Sequence, residues 1–280
     1  MIVTALAVAT VSASVFAQPA SRTVVIRATD YAFQFPANMP AGRTTFVLEN
    51  TGKVRHELNI TLLKPGVSID TFMKTVRANE TTQSLIVGPV GVLFAKPGER
   101  SAAGLTVDLK TGQQYAAICI FRDSAKAPRH YDMGMYSLLT VGSGREKPAR
   151  ASMVPTDTIV GTDYAYQYPR TLSPGRHRFA FRNDGKMRHE LSFILLKPGV
   201  TLQKMQETEK AGGDVDSLID KDLGLLHSRG GSRPVGVLEF DLLPGREYVI
   251  ACFFKDDDKA PEHYTLGMFG NIRVSGNAAQ

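Results

Sequence analysis

Four residues able to share one metal ion, His56, Cys119, His130 and Met135, recur 133 positions later as His189, Cys252, His263 and Met268. Because all four spacings are identical, no net insertion or deletion has shifted one member of the set against another. Two imidazoles, a thiol and a thioether form a soft nitrogen-and-sulfur donor set that suits copper, with methionine as the weak axial donor. The duplication is selective. At the same offset the other histidines, His177 and His227, fall opposite Thr44 and Phe94, while Met73, Met133 and Met205 fall opposite Gln206, Leu266 and Phe72. Common ancestry also preserves core residues, so repetition alone is no proof of a site; what recurs here is nonetheless the set that copper needs.

These residues must be carried by strands and one loop. Val24 to Ala28, Thr45 to Glu49, His56 to Leu62, Leu105 to Leu109, Tyr115 to Phe121 and Met135 to Val141 are β-branched or aromatic runs bounded by Gly, Pro and Asn, which predicts short strands of a β-sandwich. Side chains alternate along a strand, so His56 shares a face with Leu58, Ile60 and Leu62, and Cys119 shares one with Tyr115, Ala117 and Phe121. Both are expected to point inward, as are Cys252 and His189. By the same parity Glu57 and Glu190 face away from the donors, and as charged strand-end residues they are expected to be solvated. After Pro65-Gly66 the spacing of Ile69, Phe72, Met73 and Val76 behind a capping Ser68 predicts one helix, with a counterpart starting near Thr201. The stretch from Gly212 to Gly231 carries no clear pattern beyond a turn at Gly230-Gly231.

Duplication extends beyond the donors. Thr29-Asp30-Tyr31-Ala32 matches Thr162-Asp163-Tyr164-Ala165, and Leu62-Leu63-Lys64-Pro65-Gly66-Val67 matches Leu195-Leu196-Lys197-Pro198-Gly199-Val200. A chain of 280 residues suits two domains of ordinary size, each able to bury its own core. The expected layout is a signal peptide over 1–20, domain one over 21–142, a Gly/Pro/Ser-rich charged linker over 143–155 and domain two over 156–276. The apolar start ends in Val15-Phe16-Ala17, a fit to signal-peptidase cleavage, and predicts a periplasmic or secreted protein with no integral membrane span after cleavage. Two cysteines at equivalent positions of two domains lie too far apart to predict a disulfide. A formal charge of +6 predicts an acidic partner. No basic run or RNA-type aromatic motif points to nucleic acid.

Each repeat resembles a cupredoxin, the blue (type 1) copper fold, over nearly its whole length. The resemblance is carried by an early strand histidine, in Arg55-His56-Glu57 and Arg188-His189-Glu190, and by a late Cys…His…Gly-Met segment before a final strand. It implies an all-β chain of two tandem cupredoxin-like Greek-key β-sandwiches, each with a short helix and one copper. The implied ligands are His56, Cys119, His130 and Met135, then His189, Cys252, His263 and Met268. One departure stands out: ten residues separate Cys119 from His130, and ten separate Cys252 from His263, against only a few in that family. A loop of that length is expected to open the site to solvent and makes the second histidine the ligand most exposed to loss.

The leading expectation is electron transfer through two type 1-like centres, with a redox partner protein or a copper donor or acceptor as the partner. Copper storage or delivery uses the same ligands and favours the open site. Catalysis of the nitrite reductase or multicopper oxidase kind is not expected, because the chain has no His-x-His motif and no histidine adjoining either cysteine. A copper-free sandwich acting as an interaction module is the remaining alternative.

Overall fold

The computed structural model describes residues 22–143 and 153–276; the expected signal peptide and most of the linker lie outside the described residues. Repeat one contributes β1 (Arg22–Thr29), β2 (Ala32–Gln34), β3 (Gly42–Asn50), β4 (His56–Leu63), β5 (Ile86–Ala95), β6 (Gly104–Leu109), β7 (Gln114–Ile118) and β8 (Tyr136–Thr140), with helix α1 (Ile69–Arg77) between β4 and β5. Repeat two contributes β9 (Asp157–Thr162), β10 (Ala165–Gln167), β11 (Thr171–Leu172), β12 (Gly175–Asn183), β13 (His189–Leu196), β14 (Ile219–Ser228), β15 (Val237–Leu242), β16 (Glu247–Ala251) and β17 (Phe269–Val274), with helix α2 (Leu202–Lys210) between β13 and β14.

Both predicted helices form where their caps place them. The Ser68 hydroxyl accepts from the N–H of Thr71, and the Thr201 hydroxyl from that of Lys204, each satisfying a donor that the first turn leaves without a partner. Phe72 and Met73 of α1 are buried against Leu63, Ala116, Ile118 and Tyr131 on the outer face of the sheet. Burying each contributes about 2 kcal/mol. In α2 the matching positions are Met205 and Gln206, and none of its residues is buried.

The strands form two sheets that run unbroken through both repeats. One has the order β10-β9-β12-β15-β6-β3-β1-β2, the other β11-β17-β16-β13-β14-β5-β4-β7-β8. The repeats meet where β6 pairs with β15 and β5 with β14, and the register there is informative. Leu105 pairs with Leu238 and Val92 with Leu225, each a residue opposite its own copy 133 positions on. The repeats are therefore related by a local two-fold axis, like the protomers of an isologous dimer joined in one chain. Two separate cores are not what results: one buried cluster takes in Phe46, Leu58 and Tyr115 from repeat one with Phe179, Leu238 and Tyr248 from repeat two. Edge-to-edge pairing of both sheets forces this, since the inner faces become continuous.

The two strands at the centre of the longer sheet, β5 and β14, are absent from the sequence reading. Gly and Pro interrupt β5, and β14 occupies part of the patternless stretch from Gly212 to Gly231. Both also carry register shifts against their neighbours β4 and β13, which breaks the alternation that identifies a strand.

Candidate metal centres

His56 opens β4 and Cys119 follows the last residue of β7, so the antiparallel pairing of these strands brings both to one end of the sandwich. From Cys119 the chain leaves in a mostly exposed loop and returns at His130, where the His130 N–H donates to Phe121 O at 3.0 Å and the Tyr131 N–H to Cys119 O at 3.0 Å. The extra length is thus an excursion with a closed neck. His130 stands beside Phe121 as though the intervening residues were absent. A 3-10 turn, His130–Met133, then ends at Gly134, whose φ of 104° favours glycine, and drops Met135 beside Cys119, with the Cys119 N–H donating to Met135 O at 3.1 Å. Repeat two copies every step: His263–Leu266, Gly267 at φ 109°, and the Cys252 N–H to Met268 O at 3.1 Å.

The donor atoms converge. In repeat one His56 Nδ1 lies 3.1 Å from His130 Nδ1, which lies 3.4 Å from Cys119 Sγ. In repeat two His189 Nδ1 lies 3.0 Å from His263 Nδ1, and these lie 3.9 and 3.4 Å from Cys252 Sγ. A single ion with bonds of about 2.0–2.3 Å spans such separations. Met135 and Met268 are fully buried at the same places. Both cysteines are free thiols, as the spacing predicted.

Open sites were expected from the long loops, and the structure corrects that. His56, Cys119, His130, His189 and Cys252 are wholly buried and His263 is 1% exposed. The cause is the neck of each loop, together with Tyr31 and Tyr164, whose rings pack edge-on against both imidazoles of their site. A second correction concerns Glu57 and Glu190. Parity turns them from the donors as predicted, but they are buried instead of solvated. Each carboxylate accepts the N–H of the residue after the cysteine, Ile120 or Phe253, at 3.0 Å, and each glutamate's own N–H donates to the cysteine sulfur at 3.4 Å. Burial pushes the Glu57 carboxyl up to about 7 and raises Glu190 in the same direction. They brace the cysteine's backbone from behind.

Two carboxylates per site went unassigned in the sequence. His130 Nε2 is 3.0 Å from Asp123 Oδ1 and His263 Nε2 is 3.0 Å from Asp256 Oδ1. His189 Nε2 is 3.4 Å from Asp163, and His56 Nε2 is 3.8 Å from Asp30. Asp123 and Asp256 also accept from Tyr31 and Tyr164, at 3.0 and 2.9 Å, and both tyrosines hold the left-handed backbone that side chains rarely adopt, φ 65° and 63°. All six residues obey the 133-residue offset, so a signal was present. They lie on loops, where strand parity is silent.

These carboxylates decide what the sites can hold. An imidazole whose Nε2 carries the proton toward a carboxylate presents a bare lone pair at Nδ1. In repeat two both histidines have a carboxylate at Nε2, and with the protons held there the two Nδ1 lone pairs stand 3.0 Å apart with no proton to share. Burial, then the neighbouring imidazole, lowers the His56 pKa; at His189 burial again comes first and lowers it. Both favour neutral ligands. Burial also pushes the Cys119 and Cys252 thiols up to about 12, so a thiolate is stable there only against a cation. Neutral nitrogens facing a sulfur in a dry pocket fit one soft metal ion per repeat, and copper satisfies that donor set. Alanine at Asp123 is expected to weaken copper binding at centre one by about 10–100-fold and leave centre two unchanged. Competition against a chelator measures this, and unchanged affinity would remove Asp123 from the site.

No protein-family model and no curated protein matches the chain. Among solved structures, dithionite-reduced auracyanin of Roseiflexus castenholzii is 20% identical over 44% of this chain and 99% of its own, with a TM-score of 0.30. The copper-containing nitrite reductase of Thermus scotoductus is 13% identical over 92% of this chain and 63% of its own, with a TM-score of 0.26. That of Nitrosomonas europaea is 15% identical over 92% of this chain and 95% of its own, with a TM-score of 0.24. Each repeat has a cupredoxin-like fold. The two sheets, the short helix after β4 or β13, and the donor set at one end of each sandwich are the features that show it.

Proposed function

We propose that the protein binds two copper ions and carries electrons, each centre cycling between Cu(I) and Cu(II) without substrate chemistry. In centre one His56, Cys119, His130 and Met135 would hold the ion, and in centre two His189, Cys252, His263 and Met268 would do so, each set supplying the soft donors that copper takes. The carrying observation is the burial of a donor set in which His130, His189 and His263 are each oriented by a carboxylate. Such a cage changes little between oxidation states, which suits rapid electron transfer and opposes the copper exchange that storage or delivery requires. His177 is taken up by Asp157 and Ser173 O, and His227 belongs to neither group of metal-ligating side chains among the described residues. Export rests on the N-terminal apolar segment, and no described helix is long and apolar enough to cross a membrane. Protein expressed with copper is expected to hold two coppers per chain by elemental analysis and to oxidise and reduce reversibly. Ready loss of both ions to a mild chelator would instead favour delivery.

A further inference from the structure

The local two-fold axis creates two related clefts between the repeats, and they have diverged. In the first, Arg55, Phe94, Lys96 and Arg100 of repeat one meet Asp220, Lys221 and Asp222 of repeat two. Here the charges are matched internally: Arg55 pairs with Asp222 at 2.9 Å, Lys221 with Glu99 at 3.4 Å and Arg100 with Glu49 at 2.8 Å. Little space is left, about 20 Å³.

At the 133-residue offset the second cleft replaces Arg55, Phe94, Lys96 and Arg100 by Arg188, His227, Arg229 and Arg233, and replaces Asp220, Lys221 and Asp222 by Val87, Gly88 and Pro89. The three cations of the Arg55 side are retained as arginines, while Lys221 and the opposing carboxylates are gone. Arg129, from the Cys-to-His loop of repeat one, adds a fourth guanidinium. None of the four has a carboxylate partner among the described residues: Arg129 donates to Ile120 O, Arg188 lies over Phe254 with His227 Nδ1 at 3.4 Å, Arg229 donates to Gln83 and Thr81, and exposed Arg233 makes no bond. Among the described residues Glu80 is the one carboxylate lining the cleft. Glu57 and Glu190 act on Arg129 and Arg188 by charge but form no ion pair with them, and a carboxylate oxygen of each is bound to the Ile120 or Phe253 N–H. The buried His227 Nε2 has no hydrogen-bond partner among the described residues. The cleft measures about 520 Å³, within the range of small-molecule sites.

We propose that this cleft binds a small multivalent oxyanion, a polycarboxylate or a phosphate, between Arg129, Arg188, Arg229 and Arg233. The ligand takes the place that Asp222 occupies in the sister cleft. Guanidinium groups fit carboxylate and phosphate oxygens in pairs, and four of them between low-dielectric walls concentrate the field on a small volume. A cleft of that volume between the repeats suits a small ligand better than the flat face of an acidic protein. The site does not depend on copper, so copper-free and copper-loaded chains should both show it.

Citrate and inorganic phosphate, titrated at constant ionic strength against sodium chloride, are the probes. Calorimetry on the full chain is expected to show saturable binding of at least one of them, one per chain, with a raised melting temperature. Replacing Arg188 and Arg229 together by Gln should weaken it at least tenfold. Pro89→Asp should do the same with every arginine in place, because it restores the internal carboxylate; Arg100→Gln, in the sister cleft, should change it less than twofold. Heat and melting shifts no larger than those of chloride, or binding that survives both Pro89→Asp and the double replacement, would overturn the site. Saturable binding of hexaglutamate with no response to either small anion would overturn the small-ligand class.

Discussion

A chain with both Cys119 and Cys252 replaced by serine is expected to lose all intense visible absorption in the copper(II) state, and either single replacement about half of it. The band arises from charge transfer out of the copper-bound thiolate, and serine keeps the size of the side chain while removing that donor. In the free protein burial holds both thiols up to about 12, the charge of Glu57 or Glu190 raising them and the N–H bond from the same residue opposing it. The thiolate, and with it the colour, therefore depends on the metal. Serine is not expected to unfold the chain, because the backbone bonds that fix residue 119, from its N–H to Met135 O and from the Tyr131 N–H to its carbonyl, need no sulfur. Equal halves follow from the near-identity of the two cages. Absorption spectroscopy on protein of known copper content measures the effect; a double variant that keeps the band would refute the ligand assignment in both repeats.

The convergence of two histidines and a cysteine in each repeat was legible in the sequence because the set recurs at one offset and because strand parity turned His56 and Cys119 toward the core, where both are buried. Parity reads only residues on strands. It could not see that the Asp123 loop folds back on His130, that Tyr31 closes the site, or that Glu57 finds the Ile120 N–H behind the sheet. The long loop read as an opening because length alone does not reveal the neck at Phe121 and His130. The junction was equally hidden. Each repeat's own strands announce themselves by alternation, whereas β5 and β14 carry the glycines and bulges that let one sheet pass through both repeats, and these features erase the pattern.

Those glycines give the second large effect. Gly91 and Gly224 are equivalent at the 133-residue offset and stand where β5 crosses against β14, with φ of 151° and 125°. A Cβ at Gly224 would lie 2.6 Å from Val92 O and 3.1 Å from the Leu238 side chain; at Gly91 it would lie 2.5 Å from the Leu105 side chain and 2.9 Å from Leu225 O. Backbone oxygens of a paired strand cannot yield without breaking the pairing. Gly224→Val is therefore expected to destabilise the chain by about 4 kcal/mol or more, combining overpacking with an unfavourable φ. At roughly 2–4 °C per kcal/mol for chains of this size, melting should fall by about 10 °C. Gly199→Ala supplies the comparison, since its φ is 77° but a Cβ there meets nothing within 4 Å. It should cost only about 1 kcal/mol, the conformational part alone. Because the core runs through both repeats, the wild-type chain is expected to melt in a single calorimetric transition, and damage at Gly224 should lower the thermal stability of both copper centres together. Two resolved transitions in the wild type, or a Gly224→Val melt within about 2 °C of it, would mean that the shared sheets contribute little and that each repeat is stable on its own.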